Sequence, residues 1–474
     1  MGFKKLFIDG KWTDTGKYLE VKNPYDGSAA GTVCTADRAL TEKAIAAAFN
    51  ARKVMASLTA KQKGDILDKT GSLIAKYSED FARIITAEAG KGIVFSRGEA
   101  GRTAENFRFA ADEARRLGGE LIPYDASASG ANRFGYYKRF PIGVVGAITP
   151  FNFPLNLVAH KVGPAIAAGC PIVLKPASST PLTAVLLTEV LLEAGLPECG
   201  INLVVGSGSV VGNAMVESEL INMLTFTGSP SVGLGIKAKA GIKKVTLELG
   251  SNSAAVIHED ADIAYAVPKC VVGGFANSGQ VCISIQRIYI HEKRYDEFRD
   301  MFVKSVKASG FGDPADEKIL VGPMIEESEA ARVESWIKDA AAKGAKVLTG
   351  GGRRGTMLEP TVLEDVDETM TVVSEEAFAP LVCLMKYRTL EEAVERVNNS
   401  QFGLQAGIFT NDIKNAFYAI EHMEVGGVMV NDMPTFRVDQ MPYGGVKLSG
   451  TGREGPRFAV EEMTELKTVM FNLN

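Results

Sequence analysis

The sequence predicts an α/β protein built on a mainly parallel sheet with helices on both faces. Three observations carry that expectation. The first third of the chain reads largely as helix. From Pro141, short apolar β-like runs alternate with helical stretches. A second alternation of the same kind begins near Ser251. At 474 residues, and roughly 100–200 residues per domain, two or three domains are expected.

Taken in order, Thr41 to Ser57 is alanine-rich with apolar residues at helical spacing. Thr59 to Tyr77 and Ser96 to Leu117 continue that pattern. Arg133-Phe-Gly-Tyr-Tyr-Lys-Arg-Phe140 mixes aromatics with charges, which suits an exposed ribbon or an interface. Buried-strand runs follow at Gly143 to Thr149, Pro171 to Lys175, Ile201 to Val205, Met223 to Phe226 and Lys244 to Leu247. Among them Pro181 to Ala194 reads as a helix, with Thr180 as its N-cap and Gly195-Leu-Pro197 as its stop. In the second region Arg287 to His291 and Lys346-Val-Leu are strand-like, while Tyr295 to Ser309 and Ala330 to Lys343 are helical. Thr389-Leu-Glu-Glu392 has the form of a capping box. The β-like tail Leu466 to Phe471 would leave an exposed edge in a monomer.

Composition narrows the function classes. Hydrophobic residues are 46%, charged residues 23% and net charge −5, with no long run of one sign. That disfavours nucleic acid or an anionic membrane as the main partner. The six cysteines contain no C-x-x-C pair, so reduced thiols in a reducing compartment are expected. None of the four histidines stands at metal-ligand spacing from a cysteine, and no metal is expected. The N-terminus lacks a long apolar run, and Leu6 stands where a myristoylation signal wants Ser or Thr. A cytoplasmic location is expected.

Two segments carry covalent carbonyl chemistry. Phe275-Ala-Asn-Ser-Gly-Gln-Val-Cys282 places a thiol after a polar, flexible loop, and Leu247-Glu248-Leu-Gly250 places a carboxylate before a glycine. A thiolate attacks a carbonyl carbon, and a carboxylate can then activate the water that frees the product. The bland reading of a cysteine, a small buried hydrophobe, is applied to Cys170, Cys199, Cys270 and Cys383. Asn152, in Thr149-Pro-Phe-Asn-Phe-Pro-Leu-Asn156, could present its amide to an oxyanion or simply close its own turn. Lys175 ends a parallel strand, where a ligand crevice or solvent would receive it. Phe226-Thr-Gly-Ser229-Pro leaves a strand and opens a helix, as a phosphate site or as an ordinary capped turn. Gly206-Ser-Gly208-Ser-Val-Val-Gly212 has a dinucleotide-like run of glycines with the wrong spacing, after the third strand rather than the first.

In this order these segments resemble the aldehyde dehydrogenase superfamily, over nearly the whole chain. The resemblance implies a Rossmann-type parallel-sheet cofactor domain (1–117 and 142–250), an α/β catalytic domain (251–450) and a small β oligomerisation segment (118–141 and 451–474). It implies Cys282 as nucleophile, Glu248 as base, and Asn152 with the Cys282 N–H as oxyanion hole. Cofactor contacts fall on Thr149, Phe151, Lys175, Ser178, Gly208, Gly228, Ser229, Gly250, Glu376 and Phe378. The cofactor implied is NAD or NADP. Ser178 stands where NAD-preferring members often carry a glutamate that repels a 2′-phosphate, so NADP is expected to be accepted. Ser251 and Ala379 depart from the family pattern at positions commonly held by glycine.

By family position Arg102, Phe153, His160 and Arg437 are the substrate selectors, with a surface ion pair as the plain alternative for each arginine. Asn156-Leu-Val-Ala-His160-Lys and Asn431-Asp-Met-Pro with Met441-Pro-Tyr-Gly-Gly445 resemble lactaldehyde dehydrogenases most closely. A short hydroxylated aldehyde is therefore expected. The alternative is a small anionic one: succinate semialdehyde, sulfolactaldehyde, phosphonoacetaldehyde or glyceraldehyde 3-phosphate. Val281 stands where members that hold an anionic tail often place an arginine. Glu248 argues against transfer of the acyl group to coenzyme A, and a full set of site residues argues against a non-enzymatic relative. A homo-oligomer is implied, a tetramer rather than a dimer.

Overall fold

The computed structural model describes residues 3–474. The first sheet runs Gly450–Thr451, Lys244–Glu248, Met223–Thr227, Val145–Ile148, Ile172–Lys175, Ile201–Leu203, Leu6–Ile8, Lys11–Thr13. From Lys244–Glu248 to Ile201–Leu203 the strands are parallel; the flanking pairings are antiparallel. Ile172–Lys175 and Met223–Thr227 are buried along their whole length, because helices cover both faces. The parallel part begins at Val145–Ile148, builds outward through Ile172–Lys175 and Ile201–Leu203, then returns to the other side of its starting strand. That reversal opens a crevice at the carboxyl ends of the strands.

The expected helices are present as Arg38–Ser57, Ala60–Lys76, Ile93–Arg116, Leu182–Ala194, Tyr295–Ala308 and Glu327–Ala342. Ser78–Ala89 is an additional helix. A hairpin that the sequence reading did not include joins Leu6–Ile8 to Lys11–Thr13, turned by Asp9 and Gly10 at φ 53° and 74°.

Thr180 does not cap its helix. Pro181 holds the cap position without a side-chain bond, and the Thr180 hydroxyl is buried with no partner among the described residues. The free N–H groups go instead to Glu88, from Leu182 at 2.7 Å and from Thr183 at 3.0 Å. Burial pushes the Glu88 carboxyl up to about 8 against the pull of these donors; its two oxygens still accept several N–H groups at once, which one hydroxyl cannot, so it replaces Thr180 as the cap. Glu99 does the same for the helix Asn156–Ala168, taking Leu155 N at 2.9 Å and Asn156 N at 3.0 Å while its other oxygen pairs with buried Lys91. The capping box at Thr389 is half formed: its hydroxyl accepts from Glu392 N at 3.3 Å, but the Glu392 carboxylate reaches back to Arg388 N at 2.8 Å.

The second sheet runs Lys346–Thr349, Thr361–Glu364, Leu381–Tyr387, Arg287–His291, Ala254–Ile257, Gln405–Phe409, Gly427–Val430. All of its pairings are parallel except the first. A third sheet pairs Thr464–Asn472 with Arg133–Pro141 along its whole length, and Gly119–Leu121 on the far side. The tail's outer edge stays open, with Leu466, Met470 and Phe471 exposed. Among the described residues no helix is long and apolar enough to cross a membrane.

Candidate active site

A cavity of about 700 Å³ lies between the two large sheets. The first sheet meets it with carboxyl ends. Thr149 and Phe151 follow Val145–Ile148, Lys175 ends its strand, Gly228 and Ser229 follow Met223–Thr227, and Gly250 follows Lys244–Glu248. The second sheet meets it with amino ends: Cys282 precedes Arg287–His291, and Glu376 and Phe378 precede Leu381–Tyr387. Every residue singled out for cofactor binding lines this cavity except Ser178, whose half-buried hydroxyl donates to Gly206 O at 2.9 Å. Gly208 lines it too, but from a single wide turn, Gly208–Gly212, and not from a strand-to-helix fingerprint.

The cradle has unused polar capacity. Lys175 is 5% exposed, and its ammonium has one bond, to Pro176 O at 3.3 Å. Burial pulls its pKa down to about 8. The Thr149 hydroxyl is buried without a partner among the described residues. Ser229 precedes the helix Pro230–Lys239 without capping it, so the first N–H groups there remain available. A Cβ on Gly250 would fall 2.2 Å from Glu376 Oε2, so only glycine lets that carboxylate approach. Ser251 N donates to its other oxygen at 2.9 Å. Phe378, at φ 49°, meets Phe151 edge-to-face at 5.8 Å.

The loop before Cys282 is forced into shape. Asn277, Ser278 and Gly279 all have positive φ, at 53°, 57° and 68°. Such strain persists only when surroundings over-determine it. Here the Ser278 hydroxyl donates to Gly322 O at 2.9 Å, Ile325 N donates to Gln280 Oε1 at 2.9 Å, and a Cβ on Gly279 would lie 2.0 Å from Ala379 O. Asn152, 3% exposed, donates one amide hydrogen to Gln280 O at 2.9 Å and keeps the second.

The half-buried Cys282 sulfur lies 2.8 Å from the Tyr443 hydroxyl. Burial pushes the thiol up to about 12, against the pull of Tyr443 and Arg437. Glu248 opens on the same cavity, and its two carboxylate oxygens are buried with no partner among the described residues. Burial, then the nearby Glu454 carboxylate, raise its pKa well above the usual range; Arg437, Lys161 and Arg453 oppose them.

The substrate candidates form a separate charged cluster, none of it lining the cofactor cavity. Arg102 grips Asp439 with two nitrogens, at 2.7 and 3.2 Å. His160 Nε2 lies 2.9 Å from Asp439 Oδ1, as does Asn156 Nδ2. Against the cost of burial, His160 and Arg102 hold the Asp439 carboxyl far below its usual range. Arg437 is not at the surface: it is 7% exposed, pairs with Glu454 at 3.1 Å and stacks on Tyr443 at 3.6 Å. Lys161 completes the Glu454 pairing at 3.0 Å. Phe153 lies under the buried Lys91 ammonium at 3.5 Å. Sequence reasoning missed Tyr443, Asp439, Glu454 and Lys161. A lysine inside the apolar run of Asn156–Ala168 was the available signal, because such a charge needs a buried partner.

Residues 12–469 match the model of the aldehyde dehydrogenase family. The chain belongs to the aldehyde dehydrogenase family. It is 44% identical to 3-sulfolactaldehyde dehydrogenase of Priestia megaterium over 99% of this chain and 98% of that one. It is 42% identical to lactaldehyde dehydrogenase of Methanococcus aeolicus, over 98% and 100%. Aldehyde dehydrogenase 21 of Physcomitrella patens, solved with the reaction product succinate, superposes with a TM-score of 0.97 at 44% identity, over 100% and 98%. Like other members of the family, this protein is an oxidoreductase acting on aldehydes.

Proposed function

We propose that this aldehyde dehydrogenase oxidises a short hydroxylated aldehyde to its acid with NAD or NADP. The observation that carries the reading is a thiol and a partnerless buried carboxylate, Cys282 and Glu248, opening on one cavity. The Cys282 sulfur attacks the aldehyde carbon, and the free amide hydrogen of Asn152 with the Cys282 N–H holds the oxyanion. A dinucleotide fits the cradle by its free Lys175 donors, orphaned Thr149 hydroxyl and glycine clearance at Glu376; when bound, it supplies the hydride acceptor that turns the adduct into a thioester. Glu248, whose raised pKa makes its ionised form the stronger base, then takes a proton from the water that attacks the thioester, and the acid leaves.

The cations of the charged cluster are already engaged, Arg102 by Asp439 and Arg437 by Glu454. A neutral hydroxylated tail therefore fits better than one that demands a free cation. A second reading, a small anionic aldehyde, draws on the Arg437 Nε, which is buried without a partner among the described residues. Steady-state kinetics on lactaldehyde, glycolaldehyde, succinate semialdehyde and sulfolactaldehyde, each with NAD and with NADP, separates the two. The first reading predicts the highest kcat/KM on the neutral hydroxy-aldehydes and turnover with NADP. An anionic substrate ahead by about tenfold, some 1.4 kcal/mol in transition-state binding, would establish the second.

Residues 1–117 with 142–250 are assigned to cofactor binding, 251–450 to catalysis, and 118–141 with 451–474 to assembly of a homo-oligomer, a tetramer rather than a dimer. Strand Gly450–Thr451, at the junction of two of these segments, pairs with Lys244–Glu248 and ties the catalytic part to the cofactor sheet. The cysteines of the described residues are free thiols, which supports a reducing, cytoplasmic setting.

A further inference from the structure

We propose that the Tyr443 hydroxyl donates a hydrogen bond to the Cys282 sulfur and eases its ionisation to the thiolate, a role that rests on the reading of Cys282 as nucleophile. The contact is 2.8 Å, and no other partner of that hydroxyl occurs among the described residues. Tyr443 is 2% exposed, so water does not serve in its place. Its ring packs with Ile283 and Leu404 in a small apolar cluster flanked by Val281 and Cys282. A phenylalanine would fill that cluster equally well. Packing thus explains the ring and leaves the oxygen unexplained, and a buried hydroxyl is retained at a cost unless it has a partner.

The ring is fixed on every side that matters. Tyr443 N donates to Glu454 O at 3.0 Å, and Glu454 N donates back to Tyr443 O at 2.6 Å. The Arg437 guanidinium lies over the ring at 3.6 Å and is anchored by the Glu454 side chain. A cation over the face withdraws electron density from the phenol and strengthens its O–H as a donor. The charged and titratable groups facing the sulfur are then Tyr443 and Arg437, which favour the thiolate, and Glu248 and Glu376, which oppose it. Tyr443 keeps its proton throughout; burial and the neighbouring sulfur hold its own ionisation well above the usual range.

The test is the pH dependence of Cys282 alkylation by iodoacetamide in wild type, Tyr443→Phe and Tyr443→His, read by mass spectrometry of the Cys282 peptide. Cys282→Ser serves as the blank, and the thermal transition of each variant reports folding. Tyr443→Phe is expected to fold as wild type, to move the alkylation midpoint up by about one pH unit and to slow labelling near neutrality by about tenfold. Tyr443→His, which restores a donor, is expected to recover part of that rate. A wild-type midpoint in Tyr443→Phe overturns the proposal. So does a loss confined to turnover of hydroxy-aldehydes, which would assign the hydroxyl to the substrate. A Tyr443→Phe chain that does not fold overturns the premise that packing needs only the ring. Aldehyde oxidation surviving in Cys282→Ser would instead refute the nucleophile reading, and alkylation distinguishes the two failures.

Discussion

Lys175 shows what burial does to a residue type usually found at the surface. Its ammonium sits in the cavity with a single carbonyl contact, and its pKa is drawn to about 8. On the proposed reading the charged form binds an anionic dinucleotide, and it is lost as pH rises through that value. The KM for the cofactor is therefore expected to climb above about pH 8 in wild type, and Lys175→Met, weaker by about tenfold throughout, should lose that climb. A pH profile of cofactor KM that is equally steep in the variant would assign the titration elsewhere. At this scale the sequence was informative where a motif was local. Cys282, Glu248, Asn152 and Glu376 each stand in a short run whose glycines and prolines mark the loop. It was silent on Tyr443 and Asp439, because their partners, Cys282 and Arg102, come from distant parts of the chain. No spacing encodes such a contact.

Elements follow the sequence closely where periodicity and termination agree. Arg287–His291 is the strand expected from its apolar run, and the buried strands around the crevice lie within a residue or two of expectation. The hairpin at Asp9-Gly10 carried a legible turn signal that was not used. The cap of Leu182–Ala194 was not legible, since the carboxylate that caps it lies on another helix. Both Glu88 oxygens receive donors, including the Thr183 hydroxyl, so an amide in its place would set N–H against N–H. Glu88→Gln is expected to lower stability by about 1–3 kcal/mol in chemical denaturation with little change in KM. Unchanged stability would mean that water satisfies those groups. Glu99, which caps Asn156–Ala168 and pairs with Lys91, extends the same device to the helix that carries His160 and Lys161.

Across the whole molecule, two mainly parallel sheets approach with opposite ends, and the cavity lined by Cys282 and Glu248 lies where they meet. Strand–helix alternation made the two sheets legible; their mutual orientation was not, because it depends on how loops pack between them. The helix Ile413–His422 leaves Ile413, Phe417 and Ile420 exposed on one face, and the tail leaves Leu466, Met470 and Phe471. Apolar area of this kind marks assembly surfaces. Sedimentation equilibrium is expected to return four times the 50.6 kDa chain mass, and a monomer would contradict the assembly reading. The central claim concerns the acyl group carried by Cys282 and released by Glu248. It is tested most directly by mixing Glu248→Gln with aldehyde and NADP and measuring the intact mass. The account predicts one burst of reduced cofactor and a stable acyl adduct on the Cys282 peptide, with hydrolysis stalled. Steady turnover at the wild-type rate, with no adduct, would contradict it.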